Sequence, residues 1–193
     1  MKQEQLQRPS ADQIAKEIRR QEMAMETRKA VKAAVGSLLV FAAAAVLVSM
    51  LWFPVYQMNQ GSMEPTLREG DLLIFSALGR VGRGDIIAFH YNNQVLIKRV
   101  IALGGETIDF TDEGNVTING APFDEPYLIA SFIGDCTIEL PYMVPFEQFF
   151  VMGDNRLVSS DSRAAAIGSV GDKQIVGKAL VRVWPIPRAG RVR

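Results

Sequence analysis

The hydrophobic and polar positions divide the chain into three parts. Residues 1–32 are polar, with Ile14, Ile18, Met23 and Met25 spaced loosely as on an amphipathic helix. Ser10 followed by Asp12 and Gln13 reads as a helix start, so this part is expected to be a solvated tail, helical in part. From Ala33 to Phe53 come 21 uncharged residues rich in Ala, Val and Leu. As a helix they reach about 30 Å, the thickness of the hydrocarbon core of a bilayer. A buried core helix of this length would show a polar face, and a cleaved secretory signal would not carry so long a charged region ahead of it.

Beyond Phe53 the pattern becomes short apolar runs broken by turns. Asp71–Phe75 is one run, and Asp85–Tyr91 is followed by Gln94–Ile101 across Asn92-Asn93, a pair that tolerates the positive φ of a tight turn. Gly104-Gly105 breaks the pattern, and Glu106–Phe110, Asp112-Glu113-Gly114 and Asn115–Asn119 read as a second hairpin. Residues 121–145 hold five prolines or glycines and no clear period, which predicts loop with occasional strand. Phe146–Met152 is a strand leading into the turn Gly153-Asp154-Asn155, and Ile175–Trp184 is read as the last strand, closed by Pro185 and Pro187. The third part is therefore mainly β, built of short antiparallel strands.

Charge adds an orientation. The whole chain has 21 basic and 21 acidic residues, which gives no footprint for nucleic acid. Residues 1–32 nevertheless carry 8 Lys+Arg against 5 Asp+Glu, with Arg28, Lys29 and Lys32 against the apolar run and no further Lys or Arg until Arg68. The positive-inside rule then assigns residues 1–32 to the cytoplasm, 33–53 to a single membrane span with Trp52 at its outer interface, and 54–193 to the far side. Cys136 is the only cysteine and His90 the only histidine, so an intramolecular disulfide and a Cys/His metal cluster are both excluded.

Three stretches can carry chemistry. Gln60-Gly61-Ser62-Met63-Glu64-Pro65-Thr66-Leu67 presents a serine between a permissive glycine and a helix-stopping proline, the setting of a turn serine or of an exposed nucleophile. In the run 94–101, Leu96, Lys98 and Val100 share one face, while Ile97, Arg99 and Ile101 share the other. If the first face is the core side, desolvation lowers the Lys98 pKa and makes its amine a base for a serine hydroxyl. Alternation does not decide which of Lys98 and Arg99 points inward, and a lysine whose stem merely covers apolar surface fits the same pattern. His90 sits beside the Asn92-Asn93 turn at a wet strand end, a poor place for a catalytic base. The third stretch, Gly153 to Arg163, is dense in turn formers. It reads either as a polar loop or as a support in which Ser159 orients the lysine amine and Asp161 pairs with Arg163.

Taken in order, Gly61-Ser62-Met63-Glu64-Pro65-Thr66-Leu67, Gly70-Asp71, Lys98-Arg99-Val100-Ile101, Gly104-Gly105-Glu106, Gly153-Asp154-Asn155-Arg156, Ser159, Asp161-Ser162-Arg163, Ile175-Val176-Gly177-Lys178-Ala179 and Trp184-Pro185 resemble bacterial type I signal peptidase in its single-anchor, Gram-positive-like form. The resemblance covers essentially the whole outer part. It implies a mainly β, antiparallel-sheet catalytic domain behind one N-terminal transmembrane helix, with no cofactor and no metal. By the resemblance Ser62 is the nucleophile, Lys98 the general base, Ser159 the holder of the Lys98 amine, and Asp161 with Arg163 the supporting pair, alongside Gly153, Asp154 and Asn155. The Ser62 backbone N–H forms part of the oxyanion hole. Met63, Pro65 and Thr66 line or shape the substrate groove. Substrates are signal peptides of secreted preproteins with small residues before the cleaved bond, bound by adding a strand to a sheet edge. Two departures stand out: Gln60 occupies a position where some members have a serine that completes the oxyanion hole, and Gly104-Gly105 stands where many have a proline. The competing readings are a catalytically silent, membrane-anchored binding factor and a self-cleaving Ser–Lys regulator of the related fold.

Overall fold

The computed structural model describes residues 11–128 and 132–192; Ser10, the expected helix start, lies outside the described residues. Helix α1 runs without a break over Ala11–Trp52, 42 residues, where the sequence pattern separates a tail from a membrane helix. Nothing in residues 11–32 interrupts it, since that stretch has no glycine or proline, and Pro54 disfavours helix at the residue before it. None of its residues is buried, and its apolar part reaches a mean hydropathy of 2.4, so it is long and apolar enough to cross a membrane. The chain separates into two compact units, one ending at Ser49 and one beginning at Met50.

The second unit is built of antiparallel strands. In chain order they are β1 (Val55–Gln57), β2 (Leu72–Ser76), β3 (Ile86–Tyr91), β4 (Gln94–Leu103), β5 (Thr107–Phe110), β6 (Val116–Ile118), β7 (Ala121–Pro122), β8 (Tyr142–Met143), β9 (Gln148–Met152), β10 (Val170–Gly171), β11 (Ile175–Trp184) and β12 (Gly190–Arg191). The larger sheet has the order β1-β2-β11-β3-β4-β9-β10, with β12 paired to β11; the smaller is β7-β6-β5-β8. Both expected hairpins form. Tyr91 pairs with Gln94 across the two asparagines, Asn92 taking φ 52°, and Phe110 pairs with Val116. Ile175–Trp184 is a strand but not the last one, because β12 follows it beyond the prolines. A two-residue strand has no period to read in a sequence.

Strand β4 carries the site because it is buried on both faces. Ile97 packs with Met63, Leu67, Leu73 and Phe75; Ile101 and Ala102 pack with Ile108, Phe150 and Met152; Val100 packs with Ile87, Phe89 and Val151. One strand thus stitches three apolar clusters together, and any polar side chain in its middle is forced out of water. Its pairing with β9 begins only at Arg99, so one edge of Gln94–Lys98 has no strand partner among the described residues. Truncating the fully buried Phe150 to alanine is expected to destabilise this unit by about 3–5 kcal/mol. A shift of the denaturant midpoint of full-length protein in detergent measures it.

Candidate active site

Ser62 sits in a single 3-10 turn, Gly61–Met63, and is 2% exposed. Asn155 fixes the turn from the side: its backbone N–H donates to Ser62 O (3.0 Å) and its Nδ2 to Gly61 O (3.2 Å). Lys98 Nζ donates to Ser62 Oγ at 2.7 Å, and Lys98 is itself 2% exposed. In register it lies opposite Ile87, a core residue. Burial lowers its pKa from 10.5 to about 8; the Asp161 carboxylate pulls it up, Arg163 pushes it down and Asp154 pulls it up, none outweighing the desolvation. An amine with that pKa is partly neutral near pH 7–8, and a neutral amine this close to a hydroxyl can take its proton.

The loop after β9 presses against this pair. Gly153 N–H donates to Asp161 Oδ2 (2.9 Å), and Arg163 grips the same carboxylate through Nε and Nη2, both at 2.8 Å. Arg163 also donates to the carbonyls of Ile133, Arg156 (3.0 Å) and Ser159 (3.2 Å), so one guanidinium ties its own loop together and to the segment at Ile133. Burial would raise the Asp161 pKa, but the hydrogen bonds and charge of Arg163, the Gly153 N–H and the Ser159 hydroxyl nearby together hold it below the usual value. Gly153 is required by space: a Cβ there would lie 2.2 Å from Ser159 Oγ and 2.4 Å from Ser62 O. Ser159 Oγ is buried and has no hydrogen-bond partner at normal length, so the expected bond to the Lys98 amine is not made.

Lys98 and Arg99, between which alternation could not choose, are both buried, one on each face of β4. Arg99 makes a two-pronged pair with Asp154 (Nε–Oδ1 2.8 Å, Nη2–Oδ2 2.7 Å) and lies 4.0 Å over the Tyr127 ring. Tyr127 O–H donates to Glu125 Oε1 (2.6 Å), which also pairs with Arg156, and Arg156 Nε donates to Gly153 O (3.1 Å). Sequence reasoning missed this network. The signal for Arg99 was present, since its neighbours Ile97 and Ile101 are as apolar as those of Lys98; Glu125 and Tyr127 lie in the stretch without a period.

The remaining expected residues divide. Gln60 is exposed and lines a cleft of about 490 Å³ together with Tyr56, Met58, Ser62, Leu96 and Lys98. Pro65 is exposed beside the turn. Thr66 is half-buried; its hydroxyl accepts a long bond from Arg99 Nη2 (3.4 Å) and its carbonyl one from Arg182 Nη1 (3.1 Å). Met63, expected in the groove, is instead fully buried in the core beneath it, because a 3-10 turn rotates the residue after Ser62 inward onto Leu67 and Phe75. His90 is exposed at the end of β3, opposite Val95.

Known proteins share this chain's sequence broadly. The profile of the family described as "Signal peptidase, peptidase S26" matches residues 31–184. A signal peptidase I of Bacillus caldolyticus is 41% identical over 149 residues, covering 69% of this chain and 80% of that one. A signal peptidase I of Leptolyngbya laminosa is 39% identical over 145 residues, covering 68% of each. A crystal structure of a signal peptidase I from Enterococcus faecalis V583 is 34% identical, with a TM-score of 0.47, and covers 53% of this chain and 98% of that one. The chain belongs to the signal peptidase family and is a membrane-anchored peptidase.

The buried amine makes a stability prediction of definite sign. With a folded pKa of about 8 against 10.5 unfolded, the unfolded chain binds the extra proton between those values. Stability from this group therefore rises with pH across that window and is lowest below it. Lys98→Met is expected to stabilise the protein by about 3 kcal/mol at pH 7. The advantage over the unsubstituted protein should shrink above pH 8 and disappear near pH 10.5, which denaturation at a series of pH values reads directly.

Proposed function

We propose that the protein removes signal peptides from exported preproteins by a Ser62–Lys98 dyad. The observation that carries the reading is the 2.7 Å contact between two buried side chains, one of them an amine with its pKa brought to about 8. With the amine neutral, Ser62 O–H donates to it; Oγ attacks the scissile carbonyl and the proton passes to Nζ. The oxyanion that forms is held by the Ser62 backbone N–H, with the Gln60 side chain, exposed at the cleft, as second donor. Collapse of the intermediate breaks the C–N bond, and Lys98 returns its proton to the leaving amine. The acyl-enzyme is then hydrolysed by a water that Lys98 deprotonates. Ser159 is the hydroxyl placed to hold the ammonium while Ser62 is acylated: its Oγ is buried against Gly153, beside Ser62 O.

The signal peptide lies in the cleft beside Ser62 and Lys98 as an extended chain. Gln94–Lys98 offers an unpaired backbone edge on one wall, and the residues following β1 form the other. Residues 33–53 are the membrane span, with the N-terminus cytoplasmic and 54–193 outside, the side on which cleavage sites emerge. A catalytically silent factor has no support here, since both members of the pair are present and in contact.

Cleavage of a preprotein with an Ala-x-Ala site by detergent-purified protein tests the dyad. Ser62→Ala and Lys98→Ala should each abolish processing while the fold is retained, and substantial residual cleavage by Lys98→Ala would sink the mechanism. For the unsubstituted protein, kcat/KM should rise with pH through about 8, because the base works deprotonated.

A further inference from the structure

We propose that a second, smaller hollow on the far side of the serine turn receives the mature part of the substrate, and that Glu64 makes it favour basic over acidic residues just after the cleaved bond. This rests on the peptidase reading and adds a subsite to it. The hollow has a volume of about 240 Å³ and is walled by Glu64, Pro65, Phe132, Asn155 and Leu157, together with Asp154 and Arg156. Asn155 is the wall it shares with the nucleophile, since it binds both Gly61 O and Ser62 O. A chain acylating Ser62 with its signal-peptide side along Gln94–Lys98 must continue past that turn. The smaller hollow begins two residues beyond Ser62, whereas the hollows around Phe149 and around Lys178 are lined by other parts of the fold.

The chemistry of this hollow is set by which of its charges are free. Asp154 is buried and neutralised by Arg99, and Arg156 is buried and neutralised by Glu125. Glu64 is exposed, its side chain has no ion pair or hydrogen bond among the described residues, and its carboxylate folds back over Gly61, with Cδ 3.5 Å from where a Cβ on that glycine would stand. It is thus, among the described residues, the one uncompensated charge on this hollow. Phe132 and Leu157, 52% and 66% exposed, give the rim an apolar surface against which the stem of a lysine or arginine can lie while its head reaches Glu64.

The test uses full-length protein in detergent and three preproteins identical up to the cleaved bond, with Lys, Gln or Glu at each of the following positions in turn. The readout is the ratio of kcat/KM for the Lys substrate to that for the Glu substrate, taken within each enzyme sample so that the fraction of active protein cancels. The unsubstituted enzyme should prefer Lys by about three- to fivefold at low ionic strength, a preference that fades toward about 0.5 M salt. In Glu64→Gln the ratio should fall to near one, and in Glu64→Lys it should invert. A ratio that is the same in all three enzymes, or one unaffected by salt, overturns the subsite. Failure of the dyad shows separately, as Ser62→Ala cutting all three substrates.

Discussion

Removal of Lys98 from water is the constraint on which the rest of the site depends. A lysine in the middle of a strand buried on both faces can be kept only if its charge is made dispensable, and desolvation does this by bringing the pKa down to about 8. The three apolar clusters that meet on β4 therefore do more than hold the sheet together. They set the proton affinity of the one amine in contact with Ser62, and so link core packing to chemistry without an intermediary.

Around that neutral centre the protein places its charges in closed pairs. Asp161 with Arg163, Asp154 with Arg99 and Glu125 with Arg156 are all buried, and each partner leaves no net charge for the lysine to feel strongly. Buried pairs contribute little net stability against an apolar alternative, but losing one partner strands the other at several kcal/mol. Their gain here is geometric. Arg163 collects three carbonyls, two from its own loop and one from Ile133, and Arg156 collects one from Gly153, so the loop that faces Ser62 is held from several directions.

How much of this could be read in advance follows from what has a period. The antiparallel hairpins at Asn92-Asn93 and at Asp112–Gly114 and the apolar helix were legible, because alternation, turn chemistry and hydropathy point the same way, whereas the Ser62–Lys98 contact was named only through motif order. The choice between Lys98 and Arg99 was not legible, since a strand buried on both faces makes each neighbour look equally inward. Tyr127 and Glu125 were hidden because residues 121–145 carry no repeat, and their positions are fixed by partners distant in sequence. Met63 was misplaced because a groove residue and a core residue differ by one step around a 3-10 turn. The tail read as separate from the membrane helix is continuous with it, as a stretch lacking any breaker permits.

Gly153 has a consequence for how the site responds to pressure from outside. Here the loop's Ser159 hydroxyl and the carbonyl of Ser62 both crowd the place where a Cβ would stand on Gly153, with no room for another atom. The serine thus rests on backbone that cannot retreat. A compound that seats itself on Ser62 meets a floor that drift in sequence cannot lower or raise without displacing the serine as well. Escape from such an inhibitor would have to be written in the walls of the clefts, at exposed positions such as Gln60 and Glu64, and not beneath the serine.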